Sequence, residues 1–142
     1  MALALEAARQ APALPFGAVL VDEEADEVRA TGWNRGGNDP TGHGEIDVIR
    51  RFAALSSEVD WTRLTLYTTA EPCPLCAAAV AWAGIPRVVY GVSIPWLIAH
   101  GWWQIDLRAD ELFARARGRL VALRGGVLES ACASLFLAAR ET

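Results

Sequence analysis

The sequence predicts an α/β protein with three layers, in which helices cover both faces of a sheet. Two apolar runs on either side of a short acidic stretch predict an antiparallel hairpin near the N-terminus. Further along, strand-like runs alternate with helix-like runs, and this alternation is typical of parallel strands joined by helical crossovers. The 142 residues, of which 53% are hydrophobic, suit one domain over residues 1–142 with a sizeable core.

The opening residues, MALALEAARQ, predict an amphipathic helix. Glu6 and Arg9 interrupt its apolar run well before the run reaches a membrane span of about 20 residues or a signal-peptide core. We therefore expect a cytoplasmic protein without a membrane segment.

The hairpin is predicted from Phe16–Val21 (FGAVLV) and Val28–Trp33 (VRATGW), with the acidic turn Asp22–Glu27 between them. A loop rich in turn residues follows, GGNDPTG. Apolar residues then recur at helical spacing within Glu45–Leu55, and this predicts a helix that begins around His43.

Strands and helices alternate in the rest of the chain. The predicted strands are Leu64–Thr69, Arg87–Gly91 and Arg119–Leu123, and the predicted helices are Cys73–Ala83, Ala109–Ala116 and Leu128–Arg140. The residues SIPWLIAHGWWQIDL, after the second of these strands, give no clear pattern.

Charge and cysteine content limit the range of possible functions. The net charge of -4 and the pI near 5.1 disfavour nucleic acid as a partner, because proteins that bind phosphate backbones usually carry a basic stripe. The three cysteines are an odd number, and Cys73 and Cys76 form a CxxC motif without an export signal, which argues against a disulfide framework. A metal or redox role remains for this pair.

Cys73 and Cys76 lie three residues apart at a predicted helix start, so both sulfur atoms can reach one metal ion. A nitrogen ligand would complete a catalytic zinc site with one open position, and His43, also at a helix start, is better placed than the other histidine. Zinc lowers the pKa of bound water to about 7. A carboxylate that does not bind the metal can move the proton from this water to a ring nitrogen and a departing amine, and Glu45 is the candidate for this role.

Each motif alone has ordinary alternatives. A CxxC pair can be a redox dithiol, half of a structural zinc site or two buried small residues. Here HxE precedes PCxxC by about thirty residues, each at a helix start after a strand, and together they match the motif of zinc-dependent deaminases. We therefore predict hydrolytic deamination with Zn²⁺ as the cofactor.

Four segments resemble the cytidine deaminase superfamily, in the branch of guanine deaminases, other nucleobase deaminases and tRNA adenosine deaminases. They are Leu14–Val21 (LPFGAVLV), Gly32–Arg35 (GWNR), Asn38–Glu45 (NDPTGHGE) and Thr68–Cys76 (TTAEPCPLC). The resemblance implies a five-stranded mixed sheet flanked by helices, and a homodimer with active sites near the subunit contact. It gives the zinc-ligand places to His43, Cys73 and Cys76, and the proton-shuttle place to Glu45.

The resemblance also implies substrate contacts. Asn34 falls where the family places an amide that bonds the base edge, and it would equally suit a turn. Phe16 falls where an apolar residue packs on the ring, and it would equally suit the strand core. Gly44 stands where the family usually has alanine, so we expect the pocket to be larger at this point.

We expect the segment Trp96–Asp106 to form a wall or lid of the pocket, because it contains three tryptophans and polar residues, and a planar base needs aromatic faces and a few hydrogen-bonding groups. Trp102 and His100 are its candidate substrate contacts. Trp102 would equally suit the core or the dimer interface.

The predicted substrate is a free nucleobase with a guanine-, isoguanine-, adenine- or cytosine-type ring. Deamination of adenosine in tRNA is the alternative, because LPFGAVLV and NDPTGHGE suit both, but the acidic pI and the lack of lysine argue against anchoring an RNA stem. The non-enzymatic alternative is a structural zinc module, which would need a closed site with four ligands.

Overall fold

The computed structural model describes residues 1–55 and 59–141, and its strands form one five-stranded sheet. The strands are β1 (Gly17–Asp22), β2 (Glu27–Trp33), β3 (Leu64–Ala70), β4 (Arg87–Val92) and β5 (Ala122–Arg124). The helices are α1 (Ala2–Ala8), α2 (Gly44–Leu55), α3 (Pro74–Ala83), α4 (Ile94–Ala99), α5 (Ala109–Phe113) and α6 (Glu129–Arg140). Within the described ranges, no helix combines the length and the apolar character that crossing a membrane requires.

The sheet is mixed, as the sequence predicts. The strand order is β2-β1-β3-β4-β5. β1 pairs antiparallel with β2 and with β3, whereas β3, β4 and β5 run parallel. Because β1 lies between β2 and β3 and is antiparallel to both, β2 and β3 run in the same direction. The helices that follow these two strands therefore start at the same end of the sheet. The candidate site lies at this end of the sheet.

Helices cover both faces of the sheet, and two apolar clusters lie between the sheet and these helices. In the larger cluster, Leu20, Leu66 and Val88 of the sheet pack with side chains of α2, α3 and α5, among them Phe52 and Val80. The smaller cluster joins the sheet to α4 and α6, with α1 residues packed against it; its members Val92, Leu97, Cys132 and Phe136 are completely buried. Burial of this apolar area on both faces stabilises the sheet between its helices.

Three elements differ from the sequence prediction. Helix α4 was not predicted; it has only six residues, with the Ser93 hydroxyl accepting a hydrogen bond from the Trp96 N–H at its start. Helix α5 ends at Phe113 rather than Ala116, because the chain continues in tighter turns in which Ala116 N–H bonds to the Phe113 carbonyl. Strand β5 begins at Ala122, three residues later than predicted, and the preceding Leu120 is 94% exposed.

A substitution at Gly91 in β4 tests how closely α6 packs on the sheet. A Cβ atom at this position would lie 2.3 Å from Cys132 Sγ and 2.6 Å from the Thr69 carbonyl oxygen. Gly91→Ala is therefore expected to lower the free energy of unfolding by about 1–3 kcal/mol, measured by denaturant titration. The matched control is Gly37→Ala, because a Cβ there meets no atom within 4 Å. Equal stability of the two variants would contradict the packing of α6 described here.

Candidate active site

Cys73 and Cys76 occupy the first turn of α3. Cys73 is the N-cap residue, with extended backbone angles (φ -62°, ψ 167°), and Pro74 begins the helix. Proline suits this position because its fixed φ matches the helix and the first turn does not need its missing N–H. Cys76, three residues later, is buried, while Cys73 is half-buried. Both sulfur atoms therefore lie on the same side of the helix start.

His43 and Glu45 occupy the corresponding position on α2. The first helical hydrogen bond runs from the Asp47 N–H to the His43 carbonyl at 2.8 Å, so His43 is the residue just outside the helix. In mid-helix, two residues that are two positions apart would point in nearly opposite directions. His43 does not have helical geometry, so this rule does not apply to His43 and Glu45. Both side chains line the same cavity, as the sequence predicts.

The donor atoms of His43, Cys73 and Cys76 form a compact cluster. His43 Nδ1 lies 3.4 Å from each sulfur atom, and all three atoms lie within 4.8 Å of one another. Two sulfur donors and one imidazole nitrogen are ligands that zinc prefers, so the cluster fits a zinc site. Within residues 1–55 and 59–141 the cluster has these three members, which matches a site with an open position rather than a closed structural site.

Electrostatics within the cluster favour a thiolate. A hydrogen bond with the Cys76 thiol, aided by one with His43, lowers the pKa of Cys73 to about 4. The same hydrogen bond and burial raise the pKa of Cys76, so the thiolate forms at Cys73. The hydrogen bond to Cys73 raises the pKa of His43. A divalent cation would replace these protons, because metal ligands must be deprotonated to bind.

Glu45 lies beside the cluster and inside the protein. Glu45 is only 3% exposed, and burial raises the pKa of its carboxyl group. The Thr68 hydroxyl donates a hydrogen bond of 2.9 Å to Oε1, and the Cys76 thiol lies 3.4 Å from Oε2. Glu45 is thus held by β3 at one oxygen and faces the cluster with the other, an arrangement that can accept and release a proton.

A cavity of about 450 Å³ opens next to this cluster. Phe16, Asn34 and Trp102 line it together with His43 and Glu45. The second half of the segment Trp96–Asp106 supplies one wall, from Trp102 to Ile105, so the structure places this part of the segment where the sequence predicts it. The volume falls in the range of small-molecule sites.

Asn34 and Phe16 each serve the fold as well as the cavity. Asn34 Oδ1 accepts a hydrogen bond of 2.7 Å from the Gly36 N–H, which makes a local turn and leaves the NH₂ group of the amide as a donor. Phe16 packs edge to face against Trp102, with ring centroids 5.7 Å apart, and against Phe136 at 4.9 Å. Asn34 therefore forms a turn and also lines the cavity, and Phe16 packs in the core and also lines the cavity.

Gly44 and His100 do not reach the cavity. A Cβ atom at Gly44 would lie 2.4 Å from the Phe16 carbonyl oxygen, so this glycine permits close packing of α2 on the start of β1; its effect on pocket size stays a prediction. His100 is exposed, stacks on Trp96 with centroids 3.9 Å apart, and has Nδ1 2.8 Å from the Trp96 carbonyl oxygen. In this structure His100 is the residue that ends α4, and its substrate contact stays a prediction.

Sequence reasoning missed the role of Glu71. This buried residue of the AEPC motif lines the cavity and accepts hydrogen bonds from the N–H groups of Ile94 and Ala109, each 2.9 Å long. Arg108 Nε lies 2.8 Å and 2.9 Å from its two oxygens. The motif was visible in the sequence, but its partners lie more than twenty residues away, within or just after the segment that gives no clear pattern.

These observations define a class of protein, one with a three-ligand, zinc-type centre at the end of a mixed α/β sheet. The model of the cytidine and deoxycytidylate deaminase zinc-binding region matches residues 1–92, and the chain belongs to this family. The match includes all three cluster residues and Glu45, whereas the cavity wall from Trp102 to Ile105 lies beyond it.

Relatives with two different substrates in their names are similar to this chain. The tRNA-specific adenosine deaminase of Haemophilus influenzae is 43% identical over 98 residues, which are 66% of this chain and 56% of that protein. The guanine deaminase of Bacillus subtilis is 38% identical over 81 residues, 56% of this chain and 51% of that protein. The chain thus spans about half the length of these two relatives.

A solved structure of guanine deaminase from Nitrosomonas europaea has the same fold. The TM-score is 0.86 at 24% identity, over 99% of this chain and 82% of that chain. At this identity the likeness supports the fold, including the five-stranded mixed sheet.

Zinc content tests the ligand cluster. The purified protein is expected to contain about one zinc ion per chain, and Cys73→Ala is expected to lose most of it, because two donors hold zinc far more weakly than three. Elemental analysis after dialysis measures this. Cys132→Ala, which removes a buried cysteine outside the cluster, is the matched control and should keep its zinc. Full zinc occupancy in Cys73→Ala would remove Cys73 from the ligand set.

Proposed function

We propose that the protein is a zinc-dependent deaminase that replaces the exocyclic amine of a free nucleobase by oxygen and releases ammonia. The observation that supports this most directly is the buried carboxyl group of Glu45 beside the cluster of His43, Cys73 and Cys76, in the wall of a ring-sized cavity. We expect residues 1–142 to form one domain with this activity.

The proposed mechanism assigns separate roles to the metal ligands and to Glu45. His43, Cys73 and Cys76 would hold the zinc ion, which when bound acts as a Lewis acid and lowers the pKa of water to about 7. Glu45 takes one proton from the attacking water and delivers it to a ring nitrogen; it then takes the second proton from the newly added hydroxyl group and delivers it to the amine, which leaves as ammonia. The Thr68 hydroxyl keeps Oε1 in place, so that Oε2 is the oxygen oriented toward the reaction.

Aromatic and amide groups orient the ring in this proposal. Phe16 and Trp102 offer apolar surfaces for the faces of a planar base, and the NH₂ group of Asn34 donates a hydrogen bond to its edge. Guanine-, isoguanine-, adenine- and cytosine-type rings all have the required exocyclic amine. The similarity to guanine deaminases supports a free base as the substrate.

Deamination of adenosine in tRNA is the second candidate. The 43% identity to a tRNA-specific adenosine deaminase favours it. The net charge of -4 disfavours it, because holding an RNA stem requires phosphate contacts from basic side chains. Ammonia release over a panel of bases, nucleosides and a tRNA anticodon stem distinguishes the two candidates.

Glu45→Gln tests the proton-transfer role. Glutamine keeps the size and the hydrogen bond to Thr68 but cannot accept a proton, so kcat for ammonia release is expected to fall by roughly a hundredfold or more while zinc content and stability stay unchanged.

Glu6→Gln is the matched control, because this side chain is 64% exposed on α1 and should leave turnover unchanged. Near-normal turnover of Glu45→Gln would rule out hydrolytic deamination through this site. Loss of zinc from Glu45→Gln, with zinc retained in His43→Ala, would mean that the two roles are wrongly assigned.

We also propose that the protein forms a homodimer through α3. This helix is apolar on its outer side as well as its inner side, with Trp82 87% exposed and Leu75 42% exposed. A helix that is apolar all round is normally covered. Leu75 also lines the cavity, so a second subunit over α3 would lie close to the cavity mouth.

Trp82→Arg tests the dimer. The wild-type protein is expected to sediment as a dimer at micromolar concentration, and a charge in the middle of an apolar contact is expected to shift Trp82→Arg to the monomer. Leu120→Arg is the control, since Leu120 is equally exposed but lies outside α3. A monomeric wild-type protein, measured by sedimentation velocity, would contradict the proposal.

A further inference from the structure

One polar side chain of the cavity has no role in the proposed reaction. Gln104 is half-buried in the wall formed by the segment between α4 and α5, where Trp103 and Ile105 flank it and also line the cavity. Its amide has no hydrogen-bond partner within residues 1–55 and 59–141. An amide has an acceptor oxygen and a donor nitrogen side by side, so Gln104 presents both to whatever occupies the cavity.

The charges around the cavity disfavour a phosphate group. Two of its lining residues, Glu45 and Glu71, are acidic, and among the described residues no arginine lines it; the sequence contains no lysine. The nearby Arg108 is committed to the carboxylate of Glu71 through both oxygens. Phosphate groups are held in proteins mainly by arginine and lysine, so a phosphorylated ligand would lack these partners here.

The aromatic part of the wall cannot select between rings. Phe16, Trp102 and Trp103 offer apolar faces that any planar heterocycle satisfies. Selection between rings of similar size requires groups that are left unpaired by the wrong ring, because this costs more than a small difference in apolar contact. The side-chain amides that line the cavity are those of Asn34 and Gln104, and the Asn34 oxygen already accepts a hydrogen bond from the Gly36 N–H. Gln104 is therefore the lining residue whose amide oxygen and nitrogen are both available to distinguish one ring from another.

We propose that Gln104 determines substrate specificity by pairing its amide with adjacent donor and acceptor groups on the edge of an uncharged, phosphate-free heterocycle. The inference rests on the proposed function, because it identifies the class of ring that the same cavity takes. It adds a recognition role for a wall residue that lies outside the part of the chain matched by the family.

The test compares binding and turnover in three variants. Gln104→Leu is similar in size but lacks hydrogen-bonding groups, and Gln104→Glu keeps the acceptor but loses the donor and adds a charge. Gln10→Leu is the matched control, because Gln10 is exposed just after α1. The probes are guanine, adenine and cytosine, their ribonucleosides and their 5′-monophosphates. Ammonia release gives kcat/KM, and quenching of tryptophan fluorescence in the Glu45→Gln background gives binding without turnover.

We expect the best base to bind at least tenfold more tightly than its 5′-monophosphate. Gln104→Leu is expected to lower kcat/KM for that base by roughly ten- to a hundredfold, with zinc content and stability unchanged, because a polar ring edge is left unpaired. Gln104→Glu is expected to change the order of preference among the bases, and Gln10→Leu to behave as the wild type.

Unchanged kcat/KM and unchanged preference in both Gln104 variants would overturn this inference while leaving the deaminase proposal in place. A preference for monophosphates, or binding of none of the probes, would also overturn it. Binding of a base that weakens in Gln104→Leu, without ammonia release from any probe, would support the recognition role and refute the proposed reaction.

Discussion

The buried carboxylate of Glu71 connects the parts of the chain on which the site depends. It accepts hydrogen bonds from the start of α4, from the start of α5 and from Arg108, and it lies two residues before Cys73. Burying a carboxylate costs several kcal/mol unless its oxygens are fully paired, and here both oxygens are paired. The same interaction therefore fixes the loop that carries a cluster residue and the starts of the two helices, α4 and α5, between which the cavity wall lies.

The cluster itself depends on the order of the strands. β1 separates β2 from β3, so α2 and α3 begin side by side at one end of the sheet. Asp47 secures this arrangement on the α2 side, since its carboxylate accepts a hydrogen bond of 3.2 Å from the Trp33 N–H at the end of β2 and pairs with Arg51 at 2.9 Å. Two helix starts, with their partial positive charges, thus face one group of thiol and imidazole ligands.

The cavity combines a part shared with the family and a part that lies outside the match. His43, Glu45 and Cys73 fall within the matched residues 1–92, whereas the wall from Trp102 to Ile105 follows them. Relatives named for tRNA adenosine and for guanine are both similar to the chain. Under the proposed function, the shared part would carry bond breaking, and the wall would contribute to the choice of substrate.

The sequence by itself determined the elements whose signals are local. Hydrophobic periodicity gave the hairpin and helix α2, and the spacing of His43, Glu45, Cys73 and Cys76 predicted which side chains meet, because each pair stands at a helix start. The tertiary structure alone decided the rest. Helix α4 has six residues, too few for a clear period, and the close contact between Gly44 and Phe16, like the pairing of Glu71 with Arg108 across 37 residues, is set by how separate elements pack. Such contacts have no counterpart in local periodicity, since they arise only when the sheet brings distant segments together.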